Sequence, residues 1–320
     1  MSWVLAIDIG GTKIAGALVN EEAHVLAAEN ASLPTPKTGG EDVAAAVAQM
    51  ASQLQSQAQE HGLQPRAVGI GSAGVVDPEG RRIVSATDAI PGWGGTELAK
   101  IVETQVKLPV TIENDVHAHA RGEMWMGAGR GLESAIMVAV GTGIGGAIIS
   151  GGQILRGSHG LAGHLGHLPA SMGQDRPCSC GVLGHIEAIG SGPGMSAWYN
   201  HRATNGSGSE SRLAARFTPV ANARELEQRA QAGDELAGTV MSEAAYATGQ
   251  ILAGLVNSFD PQTVIVGGGL ANAGPHYWDG LRAGYHGQLM PPLAQVPLVA
   301  AELGTQAALL GAAALAFTQI

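Results

Sequence analysis

Residues 4–19 read VLAIDIGGTKIAGALV, from Val4 to Val19. An apolar run, Val4–Ile9, is interrupted by one carboxylate, Asp8. Gly10-Gly11-Thr12-Lys13 follows it, and then a second apolar run, Ile14–Val19. Short apolar runs bounded by glycine read as strands, and a glycine turn between two of them reads as a hairpin. The pattern recurs as Ala135–Val140, Gly141-Thr142-Gly143-Ile144-Gly145-Gly146 and Ala147–Ile149. Two such hairpins, each opening one half of the chain, predict a duplicated α/β architecture.

Outward from the hairpins the pattern alternates between helix and strand. An Ala/Gln-rich helix is expected over Glu41–Gly62, then a strand at Ala67–Ile70 leading into Gly71-Ser72-Ala73-Gly74. A strand at Val110–Ile112 carries Asn114-Asp115 at its C-terminal end, before a helix over Val116–Met126. In the second half, Glu225–Ser258 reads as largely helical and Thr263–Val266 as a buried strand followed by Gly267-Gly268-Gly269. Leu303–Phe317 reads as a final helix. Residues 201–212 are poor in apolar side chains and predict a mobile surface loop. Each glycine cluster falls just after a strand, where open α/β sheets collect their ligands.

Composition sets outer bounds. The 320 residues are 45% hydrophobic and 14% charged, enough to bury a sizeable core. Forty-eight glycines against 4% aromatics favour an α/β protein with tight turns over an aromatic-rich β-sandwich. Seventeen Lys+Arg against 27 Asp+Glu give a net charge of −10, and no basic run occurs, which argues against nucleic acid as a partner. Cys178 and Cys180 are too close for an ordinary structural disulfide loop and fit a reducing, cytoplasmic setting. The first residues lack a signal-peptide pattern. The longest apolar stretch, Ala307–Phe317, falls well short of the ~20 residues that span a bilayer, so no membrane partner is expected.

Asp8 through Lys13 combine a carboxylate, exposed backbone N–H groups, a hydroxyl and an ammonium, a turn able to wrap phosphate oxygens. It lacks the GxxxxGK[ST] spacing of a P-loop. Together with Gly141-Thr142-Gly143 and Gly267-Gly268-Gly269 it predicts a nucleotide-phosphate cleft between two lobes. Asn114-Asp115 allows two readings: a helix cap, or a carboxylate that accepts the proton of a substrate hydroxyl in phosphoryl transfer. Glu113 should point to the opposite face of the strand. His117 and His119 read as surface or packing residues. His167, Cys178, Cys180 and His185 offer two thiolates and two imidazoles in a short glycine-rich stretch, the donor set of a small structural zinc clip. The alternative is two free thiols among scattered histidines.

As a set these segments resemble the ROK family of bacterial sugar kinases and sugar-responsive repressors. The segments are DIGGTK from Asp8, GIGSAGVVDPEG (Gly69–Gly80), IENDVHA (Ile112–Ala118), GTGIGGAII (Gly141–Ile149), VGGG (Val266–Gly269) and the Leu309-Leu310-Gly311-Ala312-Ala313 helix. CSCGVLGHIE, Cys178–Glu187, matches the family signature CxCGxxGCxE except that His185 replaces its third cysteine. The resemblance implies an actin-like ATPase (ribonuclease H-like) α/β fold, two lobes with a central cleft closing on ATP–Mg²⁺ and a sugar. An N-terminal lobe, 1–118, would be joined by the C-terminal helix 304–320. Residues 119–303 would form the nucleotide-side lobe, with the zinc clip and a homodimer contact.

By position Asp115 matches the base that takes the proton of the sugar 6-hydroxyl. Gly74, Thr87, Asn114, His167 and Glu187 match sugar contacts. Gly10, Gly11, Thr12, Lys13, Thr142, Gly143, Gly268 and Gly269 match the nucleotide side, to which Asp8 and Gly141 are added. Zinc in the family would be held by His167, Cys178 and Cys180. His164, where glucokinase-like members carry glutamate, together with Ala73-Gly74, looks more like the N-acetylmannosamine kinases. A histidine can donate to an acetamido carbonyl, and a glutamate can only accept. Asp77, Pro91, Gly92 and Trp93 resemble the glucokinase branch instead. Repressors of the family usually carry a helix-turn-helix before the first glycine turn, and seven residues precede Asp8, so an enzyme is expected.

Overall fold

The computed structural model describes residues 1–26, 32–86, 90–205 and 218–320. They form two compact units. The first takes Met1–Leu132, Gln153–Ala162 and Glu302–Ile320, and the second takes Glu133–Gly152 and Gly163–Ala301. The division falls after Leu132, beyond the boundary expected at 118/119, which would cut a helix.

The first unit contains strands β1 (Trp3–Ile9), β2 (Lys13–Asn20), β3 (Val25–Leu26), β4 (Ser32–Pro34), β5 (Pro65–Ser72), β6 (Val75–Val76), β7 (Ile83–Ser85) and β8 (Val110–Asn114). Its first helices are α1 (Gly40–Glu60), α2 (Leu98–Val106) and α3 (Asp115–Met126). The main sheet runs β3-β2-β1-β5-β8, with β4 beside β2. β1 is antiparallel to β2 and parallel to β5, and β5 is parallel to β8.

β1 is apolar almost throughout because both of its faces are covered. Leu5, Ile7 and Ile9 pack with Val43 and Val47 of α1 and Leu98 and Val102 of α2. Val4 and Ala6 pack on the other face with Leu310, Ala313 and Ala316 of the C-terminal helix. That helix meets α3 backbone to backbone: a Cβ on Gly311 would stand 1.6 Å from the Ala118 carbonyl oxygen. The carboxylate of Glu123, fully buried in α3, accepts hydrogen bonds from the N–H groups of Ala128, Glu302 and Leu303 at 2.9, 3.1 and 2.8 Å.

The second unit opens with the hairpin β9 (Ala135–Val140) and β10 (Ile144–Ser150). The short strand β11 (Gln153–Ile154) then begins the segment that belongs to the first unit. Next come α4 (Glu187–Gly190), α5 (Gly192–Asn205), α6 (Ala223–Gln231), α7 (Glu235–Phe259), β12 (Val264–Gly267), α8 (Pro275–His286) and β13 (Leu298–Ala300). β12 lies parallel between β9 and β13, and its Val264 and Val266 share a core with Ile136, Val138, Met241 and Tyr285. The helix expected over 225–258 is in fact two. Gly233 interrupts it, and the Asp234 side chain caps α7 by accepting from the Ala237 N–H at 3.1 Å. The loop expected at 201–212 begins inside α5, which runs to Asn205; residues 206–212 lie outside the described residues. The last helix, α9 (Ala307–Phe317), follows a 3-10 turn at Gly304–Gln306 and so starts later than Leu303. Among the described residues no helix is long and apolar enough to cross a membrane.

Candidate active site

Side chains alternate along a strand. The parity that puts Val4 and Ala6 on the α9 face of β1 therefore puts Asp8 there too, at the strand's C-terminal end. Asp8 lies opposite Gly71 of β5, where a Cβ would come 3.1 Å from that of Ala118 in α3. β8 passes straight into α3 at Asp115. The two carboxylates feel each other. Burial foremost, and the Asp115 charge next, push the Asp8 carboxyl from 3.8 to about 6, with Lys13 pulling the other way. Burial also raises Asp115, against the hydrogen bond its Oδ1 accepts from the Val116 N–H at 2.9 Å.

Asn114 is the helix cap. Its Oδ1 accepts from the N–H groups of Val116 (3.0 Å) and His117 (3.3 Å), and its Nδ2 donates to the Gly74 carbonyl at 3.0 Å. Asp115 is then the first helical residue, half-buried. Glu113 is buried, with one of its oxygens 2.8 Å and the other 2.9 Å from the Arg121 guanidinium, and with Arg156 at 3.0 Å. The β1–β2 turn is closed by the Gly10 N–H on the Lys13 carbonyl at 2.9 Å, and Thr12 and Lys13 stay exposed.

In the second unit the Gly141 N–H donates to the Gly143 carbonyl at 2.9 Å, and the Gly192 N–H to the Gly141 carbonyl at 2.8 Å. Thr142 is exposed at this turn. Gly268 has φ +79°, and a Cβ there would lie 2.4 Å from the Val140 carbonyl oxygen, so glycine is required on two counts. A Cβ on Gly141 would lie 3.9 Å from the Gly269 nitrogen. The Gly141–Gly143 and Gly267–Gly269 turns therefore adjoin.

Residues 168–186 fold into a small ribbon. The Ala170 N–H reaches the Gly184 carbonyl (2.8 Å), the Ile186 N–H that of Leu168 (2.9 Å) and the Cys178 N–H that of Val182 (2.9 Å). The ribbon gathers one ligand atom from each of His167, Cys178, Cys180 and His185, all within 4.8 Å of one another. Nδ1 of His167 stands 3.5 Å from Cys178 Sγ, and Nδ1 of His185 3.2 Å from Cys180 Sγ. A tetrahedral zinc ion with these donors sets ligand atoms ~3.3–3.8 Å apart, so the four would close on zinc by drawing in by at most about 1 Å. Glu187 follows the ribbon. One of its oxygens accepts from the Ile144 N–H at 2.9 Å and the other from Ser179 Oγ at 2.5 Å. The ring of His164 stacks on that of His167, with centroids 6.2 Å apart.

A model of the ROK family matches residues 4–319. The chain is 35% identical to a glucokinase of Streptomyces coelicolor, over 99% of this chain and 98% of that one. It is 34% identical to an N-acetylmannosamine kinase of Escherichia coli, over 98% and 97% respectively. A crystal structure of a ROK family glucokinase from Streptomyces griseus, in complex with glucose and AMPPNP, aligns with a TM-score of 0.77 at 32% identity, covering 99% of this chain and 100% of that one. The chain belongs to the ROK family. Its mixed α/β units are those of the actin-like ATPase fold that ROK structures share.

Within each unit the site residues of this ROK protein fall into groups. Asp8, Gly10–Lys13, Gly74, Asn114 and Asp115 lie in the first. Gly141–Gly143, His164, His167, Cys178, Cys180, His185, Glu187, Gly268 and Gly269 lie in the second. Thr87 lies outside the described residues.

Lys37 and Thr35 had no signal in the sequence, and the places of Trp93, His117 and His119 emerge only in the fold. Lys37 Nζ donates to the Gly11 carbonyl and Thr35 Oγ to that of Gly10, both at 2.6 Å, so a second ammonium stands at the first turn. The Trp93 indole N–H donates to the Ala73 carbonyl at 3.1 Å and steadies the loop before Gly74. His117 is buried, and its Nε2 lies 3.0 Å from the Ala162 carbonyl. His119 is mostly buried, and burial holds its imidazole below the usual range.

Proposed function

We propose that this ROK protein transfers the γ-phosphoryl group of ATP to the 6-hydroxyl of a hexose or N-acylhexosamine, with N-acetylmannosamine the favoured acceptor. The observation that carries the reading is the juxtaposition of Asp115 and Asp8: two half-buried carboxylates at the C-terminal ends of β8 and β1, the strands that flank β5, each with a raised pKa. Asp115 is the base. Burial makes its carboxylate a better proton acceptor than an exposed aspartate. The Val116 N–H holds Oδ1 and so fixes the carboxylate that would take the proton of the sugar hydroxyl. Asn114 fixes both the helix start and the Gly74 carbonyl beside the acceptor.

The glycine turns supply backbone N–H groups to the phosphates, assisted by Lys13, Thr12 and Thr142. Magnesium on the ATP phosphates neutralises charge, and Asp8 is the carboxylate that would meet it. In the second unit, His167 directs Nδ1 to the clip and leaves Nε2 for the sugar, with Glu187 beside it and His164 reading the acetamido group. Zinc would close the clip through His167, Cys178, Cys180 and His185. The enzyme would act as a homodimer in the cytoplasm. Thr87 completes the proposed sugar contacts.

Glucokinase is the second reading, favoured by the 35% identity to the Streptomyces coelicolor enzyme over nearly the full chain. ADP release with ATP–Mg²⁺ against N-acetylmannosamine, N-acetylglucosamine, glucose and mannose separates the two. Preference for N-acetylmannosamine supports the role of His164, and preference for glucose removes it. Asp115→Asn should lower kcat about 10²- to 10⁴-fold with sugar KM nearly unchanged. Full turnover would show that the base lies elsewhere.

A further inference from the structure

Ser179 lies between the two cysteines of the clip and is not one of its donors, yet its hydroxyl makes a short contact with Glu187. Both oxygens of that carboxylate are engaged inside the second unit. Oε1 takes the Ser179 hydroxyl at 2.5 Å and lies 3.6 Å from Cys178 Sγ, and Oε2 takes the Ile144 N–H at 2.9 Å. Ile144 directly follows the Gly141–Gly143 turn. A Cβ on Gly143 would stand 2.8 Å from Glu187 Oε2, so the carboxylate lies against the turn itself. Hydrogen bonds to a charged group are the stronger kind, and two opposed ones hold a carboxylate in a single orientation.

We infer that Ser179 is a positioning residue. Through Glu187 it braces the Cys178–Cys180 turn against the Gly141–Gly143 turn, so that the order of the clip is passed to the backbone N–H groups offered to the nucleotide phosphates. The inference rests on the proposal that the Gly141–Gly143 turn is on the nucleotide side. It adds a role for a residue that neither ligates metal nor touches substrate, and a route by which the clip governs nucleotide rather than sugar affinity alone.

The test is ADP affinity by calorimetry, without turnover, alongside metal content and the KM for ATP, in Ser179→Ala, Ser179→Thr and Thr142→Ala. Losing one solvent-exposed hydrogen bond, felt by the nucleotide only through Glu187, predicts about three- to tenfold weaker ADP binding in Ser179→Ala. KM for ATP should rise in step, kcat should stay within about twofold, and metal content should equal that of the wild type. Ser179→Thr keeps the hydroxyl and should restore ADP affinity. Wild-type ADP affinity in Ser179→Ala, with Thr142→Ala weakened, overturns the brace and leaves the nucleotide turn standing. Wild-type affinity in Thr142→Ala overturns the assignment of the turn, and the brace with it. Metal loss in Ser179→Ala also overturns it, because Ser179 would then support the clip and not the carboxylate.

Discussion

Asp8→Asn should make the protein more stable at neutral pH while disabling it. The Asp8 carboxyl is raised from 3.8 to about 6 in the folded chain, by burial first and by the Asp115 charge second. A carboxyl with a raised folded-state pKa adds stability below its unfolded pKa and loses it as pH climbs through the folded value. Asp8 therefore favours the fold below about pH 4, and its ionised form opposes the fold above pH 6. Each tenfold change in proton affinity is worth about 1.4 kcal/mol, which bounds the penalty at roughly 3 kcal/mol. The residue is half-buried and Lys13 offsets part of the charge, so solvent screening leaves about 1–2 kcal/mol.

Asparagine keeps the shape and removes the charge. For a domain of this size that margin corresponds to a rise in Tm of about 2–8 °C, read by calorimetry in nucleotide- and magnesium-free buffer at pH 7.5. The advantage should shrink steadily on acidification and vanish near pH 4, where the wild-type carboxyl is protonated. ADP release should meanwhile fall by at least about two orders of magnitude. An Asp8→Asn protein less stable than wild type by the same amount at pH 7.5 and pH 4.5 would refute the reasoning, because Asp8 would then be held by interactions indifferent to its charge.

Two further outcomes concern Glu113 and His185. Glu113→Gln removes the charge shared by Arg121 and Arg156 inside the first unit. It should lower stability by about 3–5 kcal/mol in urea unfolding at pH 7; a loss under about 1 kcal/mol would mean that the arginines find other partners. Burial opposes the ionised form of Glu113, yet the arginines hold its carboxyl below the ordinary 4.5. Its contribution is therefore present at neutral pH and lost as pH falls below that value. His185→Ala should cut bound zinc, measured by mass spectrometry on protein dialysed against trace zinc, from about one ion per chain to well below half. His185→Cys should hold it. Unchanged zinc in His185→Ala would remove His185 from the ligand set.

Much of this arrangement is written in local sequence. A hairpin is a local object, so VLAIDIGGTKIAGALV identifies β1, the turn and β2 without reference to anything distant, and the same holds for the Gly141 turn. The clip is legible for the same reason, since its four donors lie within one short stretch, from His167 to His185. The partners of Glu113 are not: Arg121 is on the following helix, but Arg156 comes from a segment beyond the next hairpin. Lys37 and Thr35 reach the first turn from past β4, and nothing in their spacing announces that. The break between α6 and α7 was marked by Gly233-Asp234. It was hidden because the alanine-rich helical pattern resumes directly afterwards.

The discontinuity of the first unit has a consequence for how the molecule can be made. The face of β1 formed by Val4 and Ala6, with Ala17 and Val19 of β2, is covered by α9, and the Glu302 and Leu303 N–H groups complete the partners of buried Glu123. A ribosome finishes every strand of this sheet long before it makes the helix that shelters it. The first unit must therefore wait with one side bare while the second is synthesised and folds. Nonsense or frameshift truncations anywhere before Ala307 should leave that side open to chaperones and proteases, and their products should be scarce in cells even when every residue of the proposed active site has been translated.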